Sequence, residues 1–289
     1  MIWVNVVIQG ILIGGFYALF ASGLSLMFGV MGIINLAHGD LAVIAAYLAI
    51  GLAPALHLPM VWSFVVVVPV FAVVGYVLQR TLFQAALDRS TFTTLLATFG
   101  LSVIIENALL ATFSSNGQSI NVGSLIAKSF NPTAVISISY VNVGILAVAV
   151  AVLVGLQLYL GRTGTGRLIR AVADDREAAE LVGANPRHIF GVAAGLAFAT
   201  LALAGIASGI LSEFNPTSGP ANLLFAFEAV VIGGIGSIWG TLAGGIALGI
   251  AQQIGAQINP QYQVLAGNAL FLAVLAFRSQ GLFKAREAV

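Results

Sequence analysis

The chain has 289 residues, of which 60% are hydrophobic and 7% charged, with a formal net charge of +1, no cysteine and a mean hydropathy of +1.05. Soluble domains are roughly one-quarter charged, so this composition excludes a water-soluble globule and predicts an integral membrane protein. Without cysteine, neither disulfides, thiol chemistry nor cysteine-bound metal can carry function.

Apolar runs fall at residues 4–28, 40–55, 60–79, 92–113, 137–160, 189–212, 222–238, 241–258 and 262–278. Runs of about 17 to 25 residues without strand-like alternation satisfy their backbone polar groups only as helices. The expected fold is therefore an all-α polytopic membrane protein of eight to ten transmembrane or half-inserted helices, in a single domain over 1–289. The opening stretch MIWVNVVIQG has no basic start or small-residue cleavage site, so the first run is expected to stay as a span. The runs at 40–55 and 241–258 are short and glycine-flanked, the pattern of half-inserted or broken helices. Arg80 and Arg89, the group Arg162, Arg167, Arg170, Arg176 and Arg187, and the group Arg278, Lys284 and Arg286 mark three basic segments, whereas loop 114–136 holds Lys128 alone. Basic segments stay on the cytoplasmic side, which puts the N-terminus outside.

Ionisable groups within apolar runs are costly and usually functional. Asn35, His38 and Asp40 lie beside Gly39 at the first break, and the topology above sets them near the cytoplasmic face. Glu106 and Asn107 lie within the 92–113 run, and Glu228 lies within 222–238. These six are candidates for a translocation path, or else pair with other helices; Glu213, beside Asn215 and Pro216, reads as an outer-loop residue. Gly240, Gly244, Gly245 and Gly249 share one helical face, as close helix packing requires. The run Gly233-Gly234-Ile235-Gly236-Ser237 before Gly240 weakens a helix by about 1 kcal/mol per glycine and marks a hinge, with Gly39 a further hinge candidate. Gly32, Ile34, Gly39, Leu41, Ala42 and Ala46 match Gly233, Ile235, Gly240, Leu242, Ala243 and Ala247 at an offset of 201, a faint internal repeat of the transporter kind.

The one polar island, residues 161–188, holds nine of the 21 formally charged residues, from the 11 Lys and Arg and 10 Asp and Glu of the whole chain. It reads as a short capped helix outside the lipid: Asp174 as N-cap, Glu177 three residues on, and Gly183 as a left-handed stop, with Asn185 and Pro186 starting the next helix. Such a string also suits an ordinary surface helix. Enzymatic signals are missing, since His38, His57 and His188 have no metal-ligand spacing and Gly161-x-x-Gly164-x-Gly166 lacks the Lys-Ser/Thr of a phosphate loop.

The segment Glu177-Ala178-Ala179-x-x-x-Gly183 resembles the coupling-helix signature of permease subunits of ABC importers. A wider set of strings runs through the chain in order: Gly14-Gly15-x-Tyr17-Ala18-Leu19, Ile34-Asn35-Leu36-Ala37-His38-Gly39, Gly164-x-Gly166-Arg167-x-x-Arg170-Ala171-Val172-Ala173-x-Asp175-x-Glu177-Ala178-Ala179, and Gly233-Gly234-x-Gly236-Ser237-x-x-Gly240 with Gly244-Gly245. In this order the chain resembles the LivH-type permease of branched-chain amino acid importers. The resemblance implies a LivM-type partner permease, two ATPase subunits that bind ATP and magnesium, and a periplasmic or lipoprotein solute-binding protein in a bacterial or archaeal cytoplasmic membrane. It implies no cofactor on this chain, no catalytic residue and no nucleic acid. Arg167, Arg170, Glu177, Ala178, Ala179 and Gly183 are then expected at the ATPase contact. Relatives of this kind also import urea, short amides and other amino acids. The usual signature continues as Ile-x-Leu-Pro where this chain has Ala184-Asn185-Pro186-Arg187. The competing class is a secondary transporter or channel without ATPases, against which stand the few membrane-embedded charges; a scaffold without transport is the blander option.

Overall fold

The computed structural model describes residues 2–55, 60–123, 128–130, 136–278 and 280–283. His57, Lys284 and Arg286 lie outside the described residues. In chain order the elements are α1 (Ile2–Met31), α2 (His38–Ala55), α3 (Met60–Leu78), a π-helical turn (Gln79–Phe83) running directly into α4 (Gln84–Leu87), α5 (Thr91–Phe113), a two-stranded antiparallel pair β1 (Ser129–Phe130) and β2 (Ile138–Ser139), α6 (Tyr140–Arg162), α7 (Gly164–Asp174), α8 (Arg176–Leu181), α9 (Pro186–Leu211), α10 (Gly219–Gly233), α11 (Ile238–Ile258) and α12 (Tyr262–Phe277). Each of the nine predicted runs is a helix. By length and composition α1, Trp62–Leu87, α5, α6 and α9 can each cross a membrane, while α10 and α11 form a pair bent by 116°.

Glycine and alanine decide how the helices meet. Methyl-free surfaces let backbones touch, which gives van der Waals contact that lipid cannot supply. On α11, Gly245 meets Gly14 and Ala18 of α1, and Gly249 meets Gly10 and Gly14; a Cβ on Gly14 would lie 2.5 Å from the Ile246 Cα. Gly205 of α9 packs against the Ala42 carbonyl of α2, and Gly195 against the Ala72 carbonyl of α3. Around this frame α1 and α9 are 83% and 78% buried along their apolar windows, against 22% for α5. The predicted packing face Gly240-Gly244-Gly245-Gly249 is thus a seam between α11, α10 and α1.

Both predicted breaks exist, and they differ in kind. After α1 the chain turns at Gly32 (φ +65°) and runs back without regular structure before α2 begins. His38 Nε2 then lies 3.2 Å from the Phe20 carbonyl oxygen, eleven residues before the end of α1. At 1.5 Å per residue this is about 16 Å inside the helix end, so His38 and Asp40 sit deeper within the helical body than a loop at the end of α1 would place them. The second break is a tight turn between α10 and α11, with Gly234 at φ +106° and Gly236 at +79°. The run at 241–258 is one arm of this bent pair, as its glycine-flanked pattern predicted: it belongs to a 21-residue α11 that starts from a Ser237 cap, and the shorter arm is α10 with 15 residues. Gly233 and Gly240 press backbone to backbone across the turn, and Gly39 lies against Gly219, so these three make contacts where Gly234 and Gly236 make the bend. The end of α10 is closed by Leu282 and Phe283, whose N–H groups donate to the Ile232 and Gly233 carbonyls at 2.8 and 3.0 Å.

Candidate functional site

At the polar island the sequence builds two short helices, one more than predicted. Thr163 caps α7 by accepting from the Gly166 N–H (2.9 Å), while its hydroxyl donates back to Tyr159 O (2.7 Å). The buried face of α7 carries Gly166, Ile169 and Val172, and Arg167 and Arg170 stand on its exposed face. Asp174 ends α7, and the cap of α8 is its neighbour Asp175, which accepts from Ala178 N–H at 3.0 Å. This corrects the predicted Asp174 cap by one residue; the amphipathic α7 holds Asp174 in helical conformation. The predicted stop and restart hold: Gly183 has φ +89°, and Asn185 accepts from His188 N–H at 3.2 Å with Pro186 at the first position of α9.

The tip of this loop is apolar and bare. Leu181 and Val182 are 89% and 82% exposed, beside exposed Glu177 and Ala178, while Ala179 turns inward. Behind the tip a brace ties α8 to the α4–α5 junction. Asp88 receives Arg187 at 3.1 Å and Arg176 at 3.9 Å, and Gln84 Nε2 donates to it at 2.7 Å. Arg176 also reaches Glu180 (3.5 Å) and lies over the Phe190 ring (5.9 Å). Neither Asp88 nor the Leu181–Val182 tip stood out in the sequence, since one is a lone loop acid and the other a pair of common apolar residues.

The six path candidates separate into three places. Asn35, His38 and Asp40 are fully buried around the start of α2; Asn35 caps the turn by accepting from Ala37 N–H at 3.1 Å. Asp40 accepts from the Ser102 hydroxyl of α5, while its other oxygen faces the first residue of α10, where a Cβ on Gly219 would overlap it. Glu106 is half-buried and Asn107 exposed on α5, the latter donating to Val103 O of its own helix at 2.8 Å. Glu228 lies elsewhere, buried on α10, where Asn268 of α12 donates to its Oε1 at 2.6 Å in the amide orientation that satisfies both groups. Nearby on α1, Tyr17 donates to Gln252 Oε1 of α11 at 2.5 Å. Ser102, Tyr17 and Gln252 were not singled out from sequence, because an isolated polar residue in an apolar run has no periodic signature. Among the described residues no group of three or more His, Asp and Glu is placed to hold a metal.

A family model described as the permease component of the branched-chain amino acid transport system matches residues 6–275. The chain is 31% identical to the high-affinity branched-chain amino acid transport permease BraD of Pseudomonas aeruginosa over 292 residues, covering 95% of this chain and 94% of that one. It is 27% identical to LivH of Escherichia coli over 288 residues, covering 95% and 93%. A shorter match, 33% over 150 residues, links 49% of the chain to 41% of the fructose import permease FrcC of Rhizobium meliloti.

Proposed function

The chain belongs to the permease-component family of branched-chain amino acid transport systems, and from that premise we propose that it forms one half of the passage of an ATP-driven importer for leucine-like amino acids. Its partners are a second, LivM-type permease, two cytoplasmic ATPases that hold ATP and magnesium, and a solute-binding protein outside the cytoplasmic membrane of a bacterium or archaeon. The chain itself performs no covalent chemistry and holds no cofactor. The observation that carries the reading is the exposed apolar tip Leu181–Val182 on a capped two-helix loop, in a family of transport permeases. An apolar pair left in water next to an ion-paired brace is a contact surface.

In this reading the tip, with Arg167, Arg170, Glu177 and Ala178, docks into the ATPase, and closure of the ATPases moves the loop as a unit. Asp88 passes that motion to α4 and α5 through Arg176 and Arg187. Purification of the chain from its native membrane tests the assembly: the expected result is co-purified ATPases and a second permease, with hydrolysis stimulated by leucine-loaded binding protein. Isolation of the chain alone, with leucine uptake independent of ATP, overturns it. In the same preparation Asp88→Ala is expected to fold normally, since exposed ion pairs contribute about 1 kcal/mol or less, yet to lose most of the stimulated hydrolysis.

A further inference from the structure

Helix α5 is tied to α9 at both of its ends. On the side of the polar loop the tie is the brace, where Arg187 in the first turn of α9 reaches Asp88, three residues before α5 begins. At the outer end, opposite that loop, the segment 114–120 leaves α5 and crosses to the last turn of α9. Gln118 exchanges two backbone hydrogen bonds with Phe214, at 2.8 and 2.9 Å, and the Ile120 N–H donates to the Gly209 carbonyl at 2.7 Å.

Ile120 and Phe214 are the buried anchors of this outer tie, 1% and 2% exposed. Both fit because Gly209 has no side chain: a Cβ there would lie 2.9 Å from the Ile120 Cδ1 and 2.9 Å from the Phe214 ring. Tyr47 of α2 closes the join, stacked on Phe113 at 4.2 Å between ring centres and edge-on to Phe214 at 4.9 Å. The rest of the segment, residues 114–119, is exposed.

The segment is entered through strain. Ser114 has φ +57° and ψ −171°, and among the described residues every other positive φ belongs to a glycine. That region is essentially a glycine conformation, which another residue holds only where its surroundings impose it. A tie of three backbone hydrogen bonds, in a mostly exposed segment entered at a strained residue, belongs to the low-stability end of a fold. Between its ends α5 is little gripped, with 22% of its apolar window buried against 78% for α9.

We propose that segment 114–120 is a latch: it holds the outer end of α5 to α9, and its release in each transport cycle lets α5 swing as a movable wall against a frame built on α1 and α9. The two ties then have unequal roles. Asp88 keeps α5 joined to the loop throughout, so the pivot is at the brace and the stroke is at the latch. Release exchanges the three backbone hydrogen bonds for bonds to water and relieves Ser114, which brings the open arrangement within reach of a small free-energy input. The latch rests on the import reading above and specifies which part of this chain moves.

The chain has no cysteine, and a Cβ on Gly117 would lie 3.7 Å from the Glu213 Cβ. Disulfide-bonded cysteines have Cβ atoms about 3.5–4.5 Å apart, so Gly117→Cys combined with Glu213→Cys can lock the latch at two exposed positions. In the complete importer reconstituted in liposomes, oxidation of this double variant is expected to form the cross-link and cut ATP-dependent leucine uptake at least tenfold, with recovery on addition of a thiol reductant. The rate of cross-linking should differ at least threefold between the nucleotide-free importer and one arrested with ATP and vanadate. Gly209→Ala in the same background crowds both anchors and should slow cross-linking several-fold while the ATPases still co-purify. Full uptake by the locked importer, equal cross-linking in the two nucleotide states, cross-linking unchanged by Gly209→Ala, or cysteines that never join would each overturn the proposal. Uptake by the unmodified importer is measured alongside; its absence refutes the import reading itself, while its presence with unimpeded uptake after locking refutes the latch alone.

Discussion

Helices α9 and α5 are both apolar enough to cross a membrane, yet they are held by opposite means. The buried side of α9 is glycine, alanine and large apolar residues pressed onto the backbones of α2 and α3, whereas the buried side of α5 carries the hydroxyls of Thr94, Thr98 and Ser102, the last donating to Asp40, before it turns apolar at Ile105 and Leu109. Close apolar packing is short-ranged and rigid; hydroxyl-to-carboxylate contacts can be exchanged for water or solute at small cost. The pair teaches that hydropathy locates a span without saying whether the span is frame or wall.

The comparison breaks most directly at glycine. Gly205→Val drives a branched side chain into the Ala42 backbone, and a loss of about 3 kcal/mol or more of stability is expected from overpacking a core that cannot shift. Gly100→Val on α5 meets open space and should leave the melting temperature in detergent unchanged. Equal behaviour of the two variants in a thermal-shift assay would remove the distinction between frame and wall.

Much of this was readable in the sequence. Long apolar runs fix helices because nothing else satisfies a backbone in lipid, and Gly240-x-x-x-Gly244-Gly245-x-x-x-Gly249 announced a close-packed face, though not that α1 and α10 lie across it. The loop signals Gly183, Asn185 and Pro186 were local and survived folding intact. What escaped was non-local. The depth of Asp40 depends on residues 32–37 folding back along α1, which no pattern in those residues encodes. The polar lining of α5 rests on a single serine meeting an acid 62 positions away. The cap moved from Asp174 to Asp175 because the turn before it turned out to be helical.

A second variant sharpens the frame side. Tyr17→Phe removes the donor to Gln252, leaves the buried amide oxygen unpaired and should cost about 1–3 kcal/mol, as an orphaned buried polar group does. Thermal unfolding of the purified importer reads it; no change would mean the α1–α11 seam rests on glycine alone.

Gly183→Val forces a β-branched residue into a left-handed conformation, with about 1–2 kcal/mol of strain expected to unwind the end of α8. Binding-protein-stimulated hydrolysis and leucine uptake should then part company, and normal transport in this variant would count against docking at α8. Smallest is Asn185→Ala, which removes the α9 cap at a cost of about 1 kcal/mol. It should lower stability slightly without affecting coupling, whereas a large loss of uptake would show that the start of α9 itself moves in transport.

The π-helical turn at Gln79–Phe83 carries a different lesson, about insertion and deletion. A π-turn holds one residue more than the α-turn it replaces. Deleting one residue between 79 and 83 restores ordinary helical pairing and leaves the flanking residues near their present phase, so Asp88 still faces Arg176 and Arg187. A deletion in the regular helix outside this turn instead rotates everything after it by about 100°, one residue's share of a 3.6-residue turn, and swings Asp88 away from the brace. A single-residue gap in a relative at 79–83 is thus compatible with the same anchoring of the loop, whereas a gap elsewhere in Trp62–Leu87 is not.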